Sequence, residues 1–159
     1  MHTFRISQTK YAHDRAGSGV DGRWNLNGQY VIYTGGSMAL SCLEKLAHSS
    51  GTSLYAGDFS VTVFEVPDRL KITEITIAQL SEKSPAWQKV INYPITQNMG
   101  SKWLQSHDSA VLKVPSAIIE LEYNYLFNPA HADYEKIKII SVNKFSFDTR
   151  LKGNRGDSF

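Results

Sequence analysis

Arg23, Tyr33 and Glu44 follow one another along a single stretch of this chain, and together they could handle a charged, phosphorylated ligand. Arg23 stands in Gly22-Arg23-Trp24-Asn25, Tyr33 closes Gln29-Tyr30-Val31-Ile32-Tyr33-Thr34, and Glu44 lies in the run from Met38 to His48. A guanidinium grips phosphate through two parallel charge-assisted hydrogen bonds. A phenol stacks on a flat cationic ring, a contact worth about 0.5–2 kcal/mol. A carboxylate stabilises positive charge that builds as a bond breaks. The set suits a phosphate-bearing ligand with a cationic ring, cleaved so that positive charge is left behind.

Each residue taken alone also has a plainer reading. Arg23 follows Gly22, which lets backbone approach an anion closely, but a surface arginine in a salt bridge carries the same signature. Tyr33 could equally be a core tyrosine with its hydroxyl satisfied, and Trp24 reads as packing. Glu44 sits about 40° from Leu40 around a helix, on the shoulder of the apolar stripe. It could be a solvated helix residue, or pair with His48 one turn on. Ser116 follows Pro115 at a strand break, where a turn residue is also expected. The combination is more specific than its parts because the first three are ordered as one loop–strand–helix unit.

The elements that must position these groups are readable in outline. Thr3–Ile6 is a short first strand, and the glycine-bearing stretch from Tyr11 to Asp21 is a loop. Gln29–Thr34 is apolar on both faces, Val31 and Tyr33 on one, Tyr30 and Ile32 on the other, which predicts a strand covered on both sides. Gly35-Gly36 ends it, Ser37 can cap a helix, and Ala39, Leu40, Leu43, Leu46 and Ala47 recur at helical spacing. Cys42 on that helix reads as a small buried hydrophobe rather than a nucleophile. Phe59–Val66 alternates as a strand. Thr76–Lys83 is read as helical, and a short helix is expected around Lys102-Trp103-Leu104. Ala110–Val114, Ile118–Phe127 and Lys136–Ile140 are the remaining strands, Asn128-Pro129-Ala130-His131 is a turn, and the residues from 152 on are a frayed tail.

Bulk properties narrow the function classes. The 159 residues fit one domain with a real core. Net charge is +2 and no two basic residues are adjacent, so no nucleic-acid footprint is visible. A ribonuclease would call for a basic face or paired histidines, and neither is present. The single cysteine excludes an internal disulfide and fits a reducing compartment. No window has signal-peptide or membrane-span character, so the cytoplasm is expected. His2, His13, His48, His107 and His131 show no metal-ligand spacing, and no metal is expected. Dinucleotide fingerprint, P-loop and hydrolase elbow are all absent. One α+β domain follows.

Gly22-Arg23-Trp24-Asn25, Val31-Ile32-Tyr33-Thr34, Ala39-Leu40 with Leu43-Glu44, Val114-Pro115-Ser116-Ala117, and Asn124 with Leu126 and Asn128-Pro129 occur in this order. With the closing Phe147-Asp148-Thr149-Arg150-Leu151, they resemble the RES domain, named for Arg, Glu and Ser, the toxin of a bacterial toxin–antitoxin pair. The resemblance spans residues 1–151. Asp21 in place of a second glycine and Gly35-Gly36 in place of serines are departures, as are Ser101, Ala132 and Thr149, but none touches Arg23, Tyr33, Glu44 or Ser116.

The resemblance implies a fold like that of ADP-ribosylating toxins, with mixed or antiparallel central strands and flanking helices. It implies NAD⁺ as substrate, degraded by hydrolysis or phosphorolysis, with ADP-ribosylation of a protein as the alternative. A silent nucleotide- or partner-binding module is the alternative of another class. The implied partner is an antitoxin with a helix-turn-helix DNA-binding domain that covers the active site. On this basis Arg23 takes the phosphate, Tyr33 the nicotinamide face, and Glu44 the ribose. Ser116 orients Glu44 or bonds a phosphate or carboxamide, and Asn124 belongs to the same pocket.

Overall fold

A computed structural model of the chain describes residues 1–152. Its centre is one seven-stranded mixed sheet. The strands are β1 (His2–Gln8), β2 (Ile32–Gly35), β3 (Phe59–Glu65), β4 (Ile72–Glu74), β5 (Val111–Pro115), β6 (Tyr123–Phe127) and β7 (Lys138–Phe145). Their order across the sheet is β4-β5-β6-β2-β1-β3-β7. Only β4 and β5 run parallel; every other neighbouring pair is antiparallel. The helices are α1 (Met38–Ala47), α2 (Gly51–Tyr55), α3 (Ile77–Lys83) and α4 (Tyr93–Ser106). The α+β class read from the sequence is the one found.

The central position of β2 follows from its residues. Val31, just before it, enters a cluster with Leu112, Val114, Leu126 and three buried tryptophans, and Tyr33 packs against that cluster. Ile32 points to the opposite cluster, with Phe64, Val111 and Phe127. Alternate residues of β5 and β6 divide the same way, so both faces of the mid-sheet are dry, as the doubly apolar pattern predicts. A third cluster gathers Ile6, Val61 and Phe59 with Leu46 of α1 and Leu54 of α2.

Several boundaries differ from the sequence reading. Strand β2 starts at Ile32 rather than Gln29, because Gly28, at φ +84°, forms a turn in which the Gln29 amide bonds the Leu26 carbonyl. Tyr30 is left exposed. The stretch 118–127 is not one strand. The Ser116 hydroxyl captures the Ile118 and Ile119 amides at 3.0 and 3.1 Å, which folds 117–122 into the turn between β5 and β6. The helix expected around Lys102 is fourteen residues long. Pro94 is tolerated in its first turn, where the missing N–H had no partner to lose. The last strand runs on to Phe145, paired along β3. Strand β4 and helix α2 had not been expected. Of the tail, only Lys152 lies within the described residues, in a closing 3₁₀ turn.

Candidate active site

The first half of the site is built on α1. The Ser37 hydroxyl accepts from the Leu40 amide and so caps the helix, as its position predicts. The same hydroxyl donates to Glu122 Oε2 at 2.9 Å, which pins the helix start to the β5–β6 turn. Ser41 locks the helix to β1, donating to the Phe4 carbonyl at 2.7 Å. Glu44 then emerges two turns along with its side chain 25% exposed. Its Oε1 accepts from Ser116 Oγ at 2.9 Å and from Asn124 Nδ2 at 2.6 Å. Its Oε2 lies 4.0 Å from His48 Nε2, an i,i+4 approach on the solvent side that contributes little.

Ser116 is fully buried. Its proton goes to Glu44 and its lone pairs to two backbone amides, so every hydrogen-bonding position of the hydroxyl is used within the protein. Asn124 stands on β6 opposite Gly35 of β2 and lines the cavity beside Glu44. Gly35 itself has no room for a side chain: a Cβ there would lie 2.5 Å from Ser41 Oγ.

The second half is the Gly22–Asn25 segment. The Tyr33 hydroxyl accepts from the Trp24 amide at 3.0 Å and donates to Asn25 Oδ1 at 2.6 Å. Burial pushes this phenol well above the usual tyrosine range, against the opposing effect of the Trp24 amide. With its hydroxyl occupied on both sides, Tyr33 offers the cavity its ring. Asn25 is buried, and its Nδ2 donates to the Val20, Leu26 and Gln29 carbonyls. Gly22 is small for a reason the sequence did not suggest. A Cβ there would sit 2.7 Å from the Tyr33 hydroxyl, so the glycine makes room for the phenol.

Arg23 has no carboxylate partner among the described residues. Nη1 and Nη2 donate to the Trp87 and Gln88 carbonyls at 3.1 and 2.7 Å, and the guanidinium lies 4.6 Å from the Tyr93 ring centroid. These contacts fix the fork while leaving its positive charge unneutralised. The supporting element is α4. Thr96 Oγ1 donates to the Arg23 carbonyl at 2.6 Å, and Gln97 Nε2 to the Gly22 carbonyl at 2.9 Å. Gly100 lets the helix lie against the Trp24 backbone, since a Cβ there would come within 1.9 Å of that carbonyl. Trp24 is core, as read.

These two halves face a common cavity of about 670 Å³, lined by Arg23, Tyr33, Glu44, Asn124, Tyr93 and residues around them. The volume is in the range of small-molecule sites. Ser116 does not line it but adjoins Pro115 and Ala117, which do. Lys45 and His48 add basic groups to the wall, while the Arg5 guanidinium turns to the opposite face of the sheet, over the Phe64 ring. Arg5 was not singled out in the sequence. Its Nη2 donates to the Tyr11, Ala12 and Asp14 carbonyls, its Nε is buried without a partner, and desolvation lowers its pKa.

Cys42 is half-buried against the α1–α2 cluster, and burial pushes its thiol up, which suits the hydrophobe reading. Among the described residues no group of three His, Cys, Asp or Glu side chains could hold a metal ion, and no helix is long and apolar enough to cross a membrane.

Known proteins with the same fold and sequence pattern exist. The chain is 34% identical over 148 residues to the Prs ADP-ribosylating toxin of Sphingobium sp. (strain YBL2), covering 91% of each. It is 31% identical to Toxin Res of Yersinia enterocolitica, covering 96% of this chain and all of that one. Toxin Res of Pseudomonas putida is 33% identical over 155 residues, 95% of this chain and 99% of that protein. Among solved structures, a chain of the M. tuberculosis MbcT–MbcA toxin–antitoxin complex superposes with a TM-score of 0.72 at 16% identity. That match covers 91% of this chain and 84% of the other, and it speaks for the fold. A profile of the RES domain matches residues 2–150, and on that match and these relatives the chain belongs to the RES domain family.

Proposed function

We propose that this chain is the toxin of a toxin–antitoxin pair and that it cleaves the nicotinamide–ribose bond of NAD⁺. The observation that carries the reading is the Glu44 carboxylate, held through one oxygen by Ser116 and Asn124 in a cavity that Arg23 and Tyr33 also line. When the C1′–N bond breaks, its electron pair goes to the ring nitrogen and nicotinamide leaves neutral, so no proton donor is required. Positive charge moves to the ribose as an oxocarbenium ion. A fixed carboxylate beside that carbon lowers the barrier, because no reorganisation is needed as the charge appears. Water or phosphate then adds at that same anomeric carbon, C1″ of the product, giving ADP-ribose and a proton, or ADP-ribose 1″-phosphate.

In this reading Glu44 faces the ribose through Oε2, its anchored Oε1 being occupied. Ser116 and Asn124 are positioning residues, and Asn124 also has access to ligand. The Tyr33 ring packs on the nicotinamide. Arg23 takes the pyrophosphate with the donors it does not spend on Trp87 and Gln88. No metal enters the scheme. Cytoplasmic action on NAD⁺ would arrest growth, so the reading includes an antitoxin, in keeping with the complex to which the fold is similar. A helix-turn-helix antitoxin seated over the cavity is part of the same proposal.

A second reading is transfer of ADP-ribose to a protein, favoured by the name of the Sphingobium relative. Both share the bond-breaking step and differ in the acceptor. The test is nicotinamide release from NAD⁺ by purified protein, with mass spectrometry of the products in buffer, phosphate and lysate. Free ADP-ribose or its 1″-phosphate supports the first reading, a labelled protein the second. No nicotinamide release under any condition sinks both.

A further inference from the structure

Three consecutive residues, Glu122, Tyr123 and Asn124, each bond α1 or the two residues that lead into it. The Ser37 hydroxyl donates to Glu122 Oε2 at 2.9 Å, the Gly36 amide to the Tyr123 carbonyl at 2.9 Å, and Asn124 Nδ2 to Glu44 Oε1 at 2.6 Å. Glu122 is also tied to the other group that holds Glu44. Its carbonyl accepts from the Ser116 amide at 2.8 Å, and its own amide donates to the Ile119 carbonyl at 2.9 Å. Both donors to Glu44 Oε1 are therefore fixed relative to Glu122.

The Glu122 carboxylate is half-buried and, among the described residues, forms no ion pair. A carboxylate that gives up hydration needs a compensating partner. Glu122 finds it at the N-terminus of α1, where free amides carry partial positive charge. The first turn of α1 has no acidic residue of its own, so the charge comes from a residue 85 positions beyond Ser37. Glu122 does not line the cavity and can act on a ligand there only through other residues.

We infer that Glu122 is a positioning residue for the reaction: through Ser37 it seats α1 against β6, and so sets Glu44 in register with Ser116 and Asn124. This rests on the proposed function, in which Glu44 Oε2 stands beside the ribose carbon. Ser41 fastens the helix to β1, while Ser37, its cap, fastens it to the residue that leads into the strand bearing Asn124. A helix that slips against β6 lengthens the two bonds to Oε1 and turns Oε2 away from the ribose. The charge that drives the chemistry thus depends on a second carboxylate outside the cavity.

The test is steady-state nicotinamide release from NAD⁺ by wild type, Glu122→Ala, Glu122→Gln, Ser37→Ala and the Glu122→Ala/Ser37→Ala double variant, with melting temperatures recorded alongside. Glu122→Ala is expected to lower kcat about tenfold, less than the roughly 10²-fold that follows a displacement of about 1 Å by a remote substitution. KM is expected to hold, because the Arg23–Tyr33 half of the site is untouched, and Tm to fall by only about 2–4 °C. Glu122→Gln keeps an acceptor for Ser37 and should recover most of the loss. The double variant should be no slower than Ser37→Ala alone, since both single changes delete the same bond. Wild-type kcat in Glu122→Ala would overturn the inference, as would losses that multiply in the double variant or a Glu122→Gln chain as slow as Glu122→Ala. A second readout is independent of the reaction. The Asn124 side-chain amide resonances should move in Glu122→Ala toward their position in Glu44→Ala and return in Glu122→Gln. A wild type that releases no nicotinamide loses the reaction and leaves the positioning role to this shift, whose absence would overturn it.

Discussion

Asn124 Nδ2 donates to Glu44 Oε1 across 2.6 Å, so a strand in the middle of the sheet holds the carboxylate that α1 presents. Ser116, from the turn after the neighbouring strand, bonds the same oxygen. The two oxygens of Glu44 are thereby unequal, one anchored and one at the cavity.

Glu44→Gln keeps an oxygen for both donors and removes the charge. Nicotinamide release is expected to fall by about 10²–10³-fold, with the melting temperature close to wild type. The same substitution should abolish growth arrest when the chain is expressed alone. Near-wild-type NAD⁺ loss from the purified variant would remove Glu44 from the chemistry.

Ser116→Ala takes one donor from Glu44 and strands the Ile118 and Ile119 amides. A buried group left unsatisfied costs about 1–3 kcal/mol, so both stability and turnover are expected to drop. Denaturant titration with the release assay checks this. A variant as stable as wild type would mean that the 117–122 turn does not depend on the hydroxyl.

Tyr33 separates ring from hydroxyl. Tyr33→Phe should keep most turnover while losing about 1–3 kcal/mol from the Trp24 and Asn25 bonds, whereas Tyr33→Ala should lose both. The raised pKa also gives a signature in pH. The unfolded phenol ionises near about pH 10 and the folded one higher, so its stabilising contribution is complete below that pH. It is lost as pH climbs from there through the folded value. Melting curves at alkaline pH should therefore fall less steeply for Tyr33→Phe, and parallel slopes would contradict the burial of this hydroxyl.

Arg23→Lys cannot reproduce a fork that bonds two carbonyls and stacks on a ring. NAD⁺ affinity is expected to fall at least about tenfold, roughly the 1.4 kcal/mol step, together with a lower melting temperature as the Trp87–Gln88 strap loosens. Unchanged affinity by calorimetry would end the phosphate role.

Gly100→Ala ordinarily favours a helix, but here it drives a methyl group into the Trp24 carbonyl. Overpacking of this kind costs about 1–3 kcal/mol or more. A stabilised variant in thermal melts would show that α4 and the Trp24 backbone do not touch.

What was legible in the sequence was local. Helix α1, its Ser37 cap and the half-buried placement of Glu44 follow from periodicity within about ten residues, and β2 as a mid-sheet strand follows from apolar residues on both faces. What was not legible depended on distant partners. The full length of α4 was not legible, because the contact that calls for Gly100 lies on Trp24, far away in sequence. Strand β4 has three residues and pairs in parallel with a segment across α3 and α4, so nothing in its own pattern announces it. Gly22 was read as making way for an anion, when a tyrosine eleven positions on needed the space.

Thr96, Gln97 and Gly100 fasten three consecutive residues of the Arg23 segment to successive turns of one helix. Helix and segment are therefore tied into one unit, and the gap between Arg23 and Glu44 depends on how Trp103 of α4 packs with Trp24 and Trp87. Redesigning this cleft for a wider or narrower substrate would begin in that packing, at Trp87 and Trp103, neither of which lines the cavity.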